Sequence, residues 1–339
     1  MITGSTEGAT ERAGPTASDR TDSIVSARLF DHGDLVYVAC LLLPLSWFLQ
    51  LGRPLGWLEM LLYPRVRRGV HANLVQAFGA TKPADEISRL TRHVFEYHQM
   101  RNMMALVAPL LAVRGQLEKY FPIHNIENLD RALAGGRGAI ILASHVNSIS
   151  ALLAVIQLRR SGYRVRCPMP DRRDAWAPTP FRRLVHRLLG VPTVRESVGG
   201  FYAQFNVRPL VKALQEKSIL IMAGDGWHSA SFVDAPFLGR ILPFTNGPIS
   251  LARVAGVPVV PMFVVGPPNR LSFEFEPAFL VDGEGPSQDA IARKVRFFVS
   301  RVEQRMLADI ACWQLWLVED VFGTLEDWRS RPLDERYAT

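Results

Sequence analysis

The chain has 339 residues, of which 48% are hydrophobic and 21% charged, enough to bury a sizeable core in one large domain or two modest ones. Its net charge of +7 points to an anionic partner, but no helix-turn-helix, zinc-finger or RNP pattern occurs, so nucleic acid is not expected. Three cysteines, Cys40, Cys167 and Cys312, lie far apart without CxxC spacing, which excludes a disulfide framework and a zinc site and fits a reducing compartment.

Residues 1–25 are small, polar and aperiodic and read as a disordered tail rather than a secretory signal. Leu35 to Gly52 is the most hydrophobic stretch, 18 residues without a charge, at the short edge of what spans a bilayer. Pro44 and Gln50 interrupt it, and a buried core helix is the alternative. Trp57 to Tyr63, interrupted by Glu59, fits a segment lying in the membrane interface. Residues 1–34 carry six acids and three arginines, whereas Arg53, Arg65, Arg67 and Arg68 follow the apolar run. The positive-inside rule then puts the bulk of the chain in the cytoplasm, and an in-plane segment would favour the same anionic leaflet. Residues 26–68 are therefore read as membrane-anchoring or interfacial helices and 69–330 as one catalytic domain.

Val70 to Val107 reads as helical with a turn at Gly79. Gly138 to Ser144 is a nearly continuous apolar run entered from glycines, the pattern of a buried parallel strand. A helical stretch from Asn147 to about Arg160 follows. Further strands are expected at Tyr163–Cys167, Ser218–Ala223 and Val257–Val265, and Leu271–Glu276 alternates as a strand with one wet face. Ser287 to Ala311 keeps Ile291, Val295, Phe298, Val302, Met306 and Ile310 on one helical stripe. Strands separated by helices imply an α/β fold with a central, mostly parallel sheet flanked by helices.

Ten arginines and only two acids, Asp171 and Asp174, lie between Arg159 and Arg195. A solvated basic face, a surface for anionic lipid head groups and a site for the phosphates of an acyl carrier all fit that run. No GxSxG elbow and no HExxH pair occurs, so serine and metal hydrolases lack their signatures. His145 stands where an apolar strand ends and a helix begins, the edge at which open α/β sheets gather ligand sites.

Six segments in order resemble the bacterial lysophospholipid acyltransferase superfamily, in its branch of lipid A late acyltransferases and phosphatidylinositol mannoside acyltransferases. They are RGVHANLVQAF (68–78), IILASHVNSIS (140–150), VPTVRESVGG (191–200), Ala223-Gly-Asp225, FVDAPFLGRILPFTNGPISLARVAG (232–256) and Trp313-Gln-Leu-Trp316. The resemblance implies transfer of a fatty acyl group from acyl-CoA or acyl-carrier protein, as co-substrate and without a cofactor or metal, to a hydroxyl of a membrane lipid or glycolipid. It places the protein on the cytoplasmic face of the bacterial inner membrane, with that anionic surface, the lipid acceptor and the donor as partners.

The resemblance makes His145 the general base, with backbone N–H groups near Asn147 as oxyanion donors. The family motif HX4D/E supplies a carboxylate five residues on, but here position 150 is serine, and no Asp or Glu occurs between Asp130 and Asp171. Ser150 can hydrogen-bond the ring but brings no charge. Asp225, after the strand expected at Ser218–Ala223, is the first substitute and Glu196 the second. Gly224, Gly239 and Gly247 mark turns that the resemblance makes part of the acyl or acceptor cleft, with Arg195 and Arg240 as phosphate contacts. A non-catalytic lipid-binding protein on a decayed acyltransferase fold is the alternative that Ser150 keeps open. Trp313 and Trp316 are assigned to the core.

Overall fold

A computed structural model describes residues 32–148, 151–169, 178–202, 206–226, 229–267, 270–281 and 287–330. The expected tail at 1–25 and Ser150 lie outside these residues. The sheet has seven strands in the order β1 (Ile123–His124), β9 (Ser272–Phe275), β8 (Val259–Val265), β2 (Ala139–Ala143), β5 (Ile219–Ala223), β3 (Val165–Met169) and β4 (Gly200–Tyr202). Every neighbouring pair is parallel except β8–β9. The expected mostly parallel sheet is therefore present, with two strands at one edge, β9 and β1, running opposite to the rest.

Two cores form because strand side chains alternate between the faces. Ile141 of β2, Ile219 and Ile221 of β5, and Val260 and Met262 of β8 enter one core, with the helix Ala151–Arg160 and the second half of Ala84–Val113. Ile140 and Leu142, Leu220, and Val259 and Phe263 enter the other, beneath the helices Pro64–Phe78, Gly247–Ala255 and Ser287–Ala308. Burial on both faces is why β2, β5 and β8 are continuous apolar runs, whereas β9 buries Phe273 and Phe275 and leaves Glu274 half exposed.

Four features depart from the sequence reading. The Leu35–Gly52 run is broken at Pro44 into the helices His32–Leu42 and Leu45–Gln50, and among the described residues no helix is long and apolar enough to cross a membrane. Pro44 has ψ 142°, an extended value that ends the first helix and starts the second. Tyr37, Cys40, Phe48 and Leu49 of this run are buried, while Leu35, Leu42 and Trp47 are exposed. Asn147, expected to open a helix, has φ +52° and is not part of a right-handed helix; the helix Ala151–Arg160 is described beyond it. The last long helix stops at Ala308, and Ile310–Cys312 is a separate 3₁₀ turn. Finally, Phe232–Phe237 and Arg240–Thr245 form an antiparallel hairpin, β6–β7, packed on the helix Ser287–Ala308.

Candidate active site

β2 and β5 are adjacent and parallel, with Ala143 opposite Ala223. Two residues beyond each partner stand His145 and Asp225, so the strand register alone sets them side by side at the carboxyl edge of the sheet. The Gly224 N–H extends the pairing by donating to the Ala143 carbonyl at 2.9 Å. A methyl group at Gly224 would sit 2.6 Å from Phe298 and 2.9 Å from Leu142, so the close approach requires glycine.

Asp225 is fully buried, and its carboxylate is surrounded by donors. The His145 backbone N–H lies 2.8 Å from both oxygens, His145 Nδ1 lies 2.8 Å from Oδ1, and Trp313 Nε1 donates to Oδ2 at 3.2 Å. An ionised carboxylate only accepts, so Nδ1 carries the ring proton and Nε2 keeps its lone pair. The His145 side chain is 27% exposed, which leaves the ring accessible while its partner is dry.

The turn after His145 is held by a distant segment. Val146 forms an antiparallel bridge with Trp313, Gln314 N–H donates to the His145 carbonyl at 2.9 Å, and the Ser148 hydroxyl donates to the Gln314 side chain. Asn147 N–H and Arg101 Nη1 share the Cys312 carbonyl, at 2.8 Å and 2.7 Å, and Arg101 is fully buried. Of the amides expected to face an oxyanion, those of His145, Val146 and Asn147 donate to Asp225, Ser144 and Cys312 respectively, and those of Ile149 and Ser150 lie outside the described residues.

A cleft of about 590 Å³ opens beside this edge, between Ser144 and Ser148 on one wall and Thr245, Asn246 and Gly247 on another. Its floor is apolar, formed by residues such as Ala151, Leu152, Leu210, Ile221 and Leu251. The size and the largely apolar lining suit an aliphatic chain.

The other expected site residues are dispersed. Gly247 lines the cleft, but Gly239 and Arg240 occupy the far end of the hairpin, five residues along β7 from Thr245 and so about 16 Å away. Gly239 has φ +73° in the hairpin turn, and the Arg240 guanidinium lies 4.9 Å from the Phe322 ring centre. Neither is a wall of the cleft. Arg195 and Glu196 sit on the short helix Val194–Ser197, where the Glu196 carboxylate accepts from Thr193 N and Oγ1 at 2.8 and 2.9 Å in a capping box. Those bonds hold its carboxyl below the usual range, and the His145 imidazole is paired with Asp225 instead.

Sequence reasoning missed Trp313, Gln314 and Arg101. Trp313 was open to discovery, since a buried indole needs a partner for its N–H. Arg101 carried no motif signal.

Among curated proteins no sequence matches the chain significantly. The profile of the family described as "Bacterial lipid A biosynthesis acyltransferase" matches residues 32–318, which include β1 to β9, the His145–Asp225 pair and the Trp313 segment. The chain belongs to the bacterial lipid A biosynthesis acyltransferase family.

Proposed function

We propose that this acyltransferase moves a fatty acyl group from an acyl thioester, acyl-CoA or acyl-carrier protein, to a hydroxyl of a glycolipid of the lipid A precursor class. The observation that carries the reading is the buried Asp225 carboxylate on His145 Nδ1, whose chain neighbours Ser144 and Ala223 line an apolar cleft. Nε2 takes the proton of the acceptor hydroxyl as its oxygen attacks the thioester carbonyl carbon. Asp225 fixes the tautomer and stabilises the imidazolium that forms. Collapse of the tetrahedral intermediate breaks the C–S bond, and the imidazolium returns the proton to the thiolate. The products are an ester and a free thiol.

The carboxylate comes from β5 rather than from position 150. The binding-protein alternative rested on Ser150, and a fully buried acid at Nδ1 weighs against it. The exposed Trp47, Trp57, Leu61 and Leu62, close in sequence to Arg53 and Arg65, support anchoring in an anionic cytoplasmic leaflet.

Transfer of label from radiolabelled palmitoyl-CoA or palmitoyl-carrier protein into a lipid A precursor tests the reading. Wild type is expected to produce ester-linked label and His145→Ala is expected to produce none. Equal transfer by both proteins would refute the role of His145.

A further inference from the structure

We propose that the helix Pro180–Leu189 is a second membrane-docking element, built to lie in an anionic lipid surface beside the N-terminal helices. At 100° per residue, Leu184, Leu188, Phe181, Val185 and Leu189 form one stripe of this helix, and Arg182, His186, Arg183 and Arg187 form the other. A helix on the surface of a water-soluble domain buries its apolar stripe. This one buries only part of it: Val185 packs against the core and Phe181 is half buried, whereas Leu184, Leu188 and Leu189 are exposed.

Arg182 and His186 meet the protein alongside Val185. Arg182 Nε donates to Asp34 Oδ1 at 2.8 Å, with both side chains buried, and His186 lies 5.3 Å from the Tyr37 ring. Thr179 caps the helix and donates its hydroxyl to the same Asp34 oxygen at 2.7 Å. Outward, Leu184 is 53% and Leu188 73% exposed, with Leu189 beside them. Clustered exposed leucines of this kind mark a surface that meets an apolar phase.

The occupant is a lipid surface for two reasons. First, Arg183 and Arg187 are exposed next to the leucines, the arrangement in which apolar side chains enter the acyl boundary and guanidinium groups stay among phosphates. Second, the helix packs on His32–Leu42, whose Leu35 and Leu42 are also exposed, and the Asp34–Arg182 pair fixes the two helices to each other. Exposed leucines thus stand on both of the paired helices. This inference shares with the proposed function the premise that the acceptor lies in a membrane. It adds that the middle of the chain, and not the N-terminus alone, holds the cleft against it.

The test uses the full chain and vesicles of phosphatidylglycerol with phosphatidylcholine, or of phosphatidylcholine alone, with no acyl donor present. An environment-sensitive fluorophore on Leu188→Cys is expected to shift to the blue on anionic vesicles and to be quenched by doxyl-labelled lipids. Leu184→Glu/Leu188→Glu should bind vesicles about 100-fold more weakly with an unchanged melting temperature. Arg183→Glu/Arg187→Glu should lose about fivefold per arginine on anionic vesicles and nothing on neutral ones. A fluorophore that stays unquenched on vesicle-bound protein, with the glutamate variant binding as wild type does, overturns the proposal. So does a label buried without lipid in a concentration-dependent dimer, which assigns the stripe to a second copy. A raised KM for acyl-carrier protein in the arginine variant, with vesicle binding unchanged, assigns it to the carrier. Because binding is read without turnover, a quenched fluorophore on a protein that transfers nothing would sink the acyl-transfer reading and leave the docking helix standing.

Discussion

Replacing Asp225 with asparagine changes one atom type and should nearly silence the enzyme. The carboxylate has two oxygens and both are engaged, Oδ1 by the His145 ring and Oδ2 by the Trp313 indole, with the His145 amide across the two. A carboxamide offers one acceptor oxygen and one N–H₂ group. If its oxygen faces the imidazole, its N–H₂ meets the indole N–H, donor against donor in a site with no water access. If it is flipped, the N–H₂ meets Nδ1, and the ring must carry its proton on Nε2, where it can no longer accept from a hydroxyl. Loss of the corresponding acid in a catalytic triad lowers turnover about 10⁴-fold, equivalent to about 5.4 kcal/mol of barrier. The unpaired donor adds about 1–3 kcal/mol of lost stability. The expected result is a fall in kcat with KM little changed, and a lower melting temperature. Turnover within tenfold of wild type would refute the dyad and reopen the search for the partner of His145.

Trp313→Phe removes one donor from a buried charge, so it should cost about 1.5–3 kcal/mol of stability and lower kcat, read by thermal melting and by initial rates. Gly224→Ala inserts a methyl group 2.6 Å from Phe298, and overpacking of about 1–3 kcal/mol should lower the melting temperature. His98 is held down to about 4, first by burial and then by Arg101, and Asn102 Nδ2 stands 2.9 Å from Nε2, closer than Glu59 at 3.5 Å. Above about pH 6.5 neither folded nor unfolded state protonates it; between there and pH 4 only the unfolded state does, removing about 3 kcal/mol in all. Melting curves of wild type and His98→Phe should therefore diverge across that window, with wild type losing more as pH falls.

The strands that position the site were legible because each is an apolar run buried on both faces, as in Ala139–Ala143 and Val259–Val265. The hairpin β6–β7 was not. Each strand carries a proline, Pro236 and Pro243, and its turn uses Leu238 and Gly239, both at positive φ, where Asn-Gly is the usual signal. Strands β1 and β4 are two and three residues long, and pairing with longer neighbours defines them rather than composition. The run before Gly52 misled for the opposite reason. Its composition suits a bilayer core, but Pro44 divides it, and half of each short helix packs inward.

The acid that partners His145 shows where a sequence argument gains its force. The family motif carries its carboxylate five residues after the histidine, a spacing readable from the sequence alone. Asp225 and Glu196 were instead separated by a non-local fact, the pairing of β2 with β5. Once Ala143 lies opposite Ala223, the residue two beyond one strand must neighbour the residue two beyond the other, although 80 residues of sequence separate them. Gly224 permits that approach, and Gly226, where a methyl group would stand 3.3 Å from His145 Cε1, leaves room for the ring. The Gly-Asp-Gly triplet, which alone reads as a turn, is therefore the segment by which the sheet delivers a charge to the imidazole. Serine at 150 is compatible with catalysis because the sheet has already filled Nδ1.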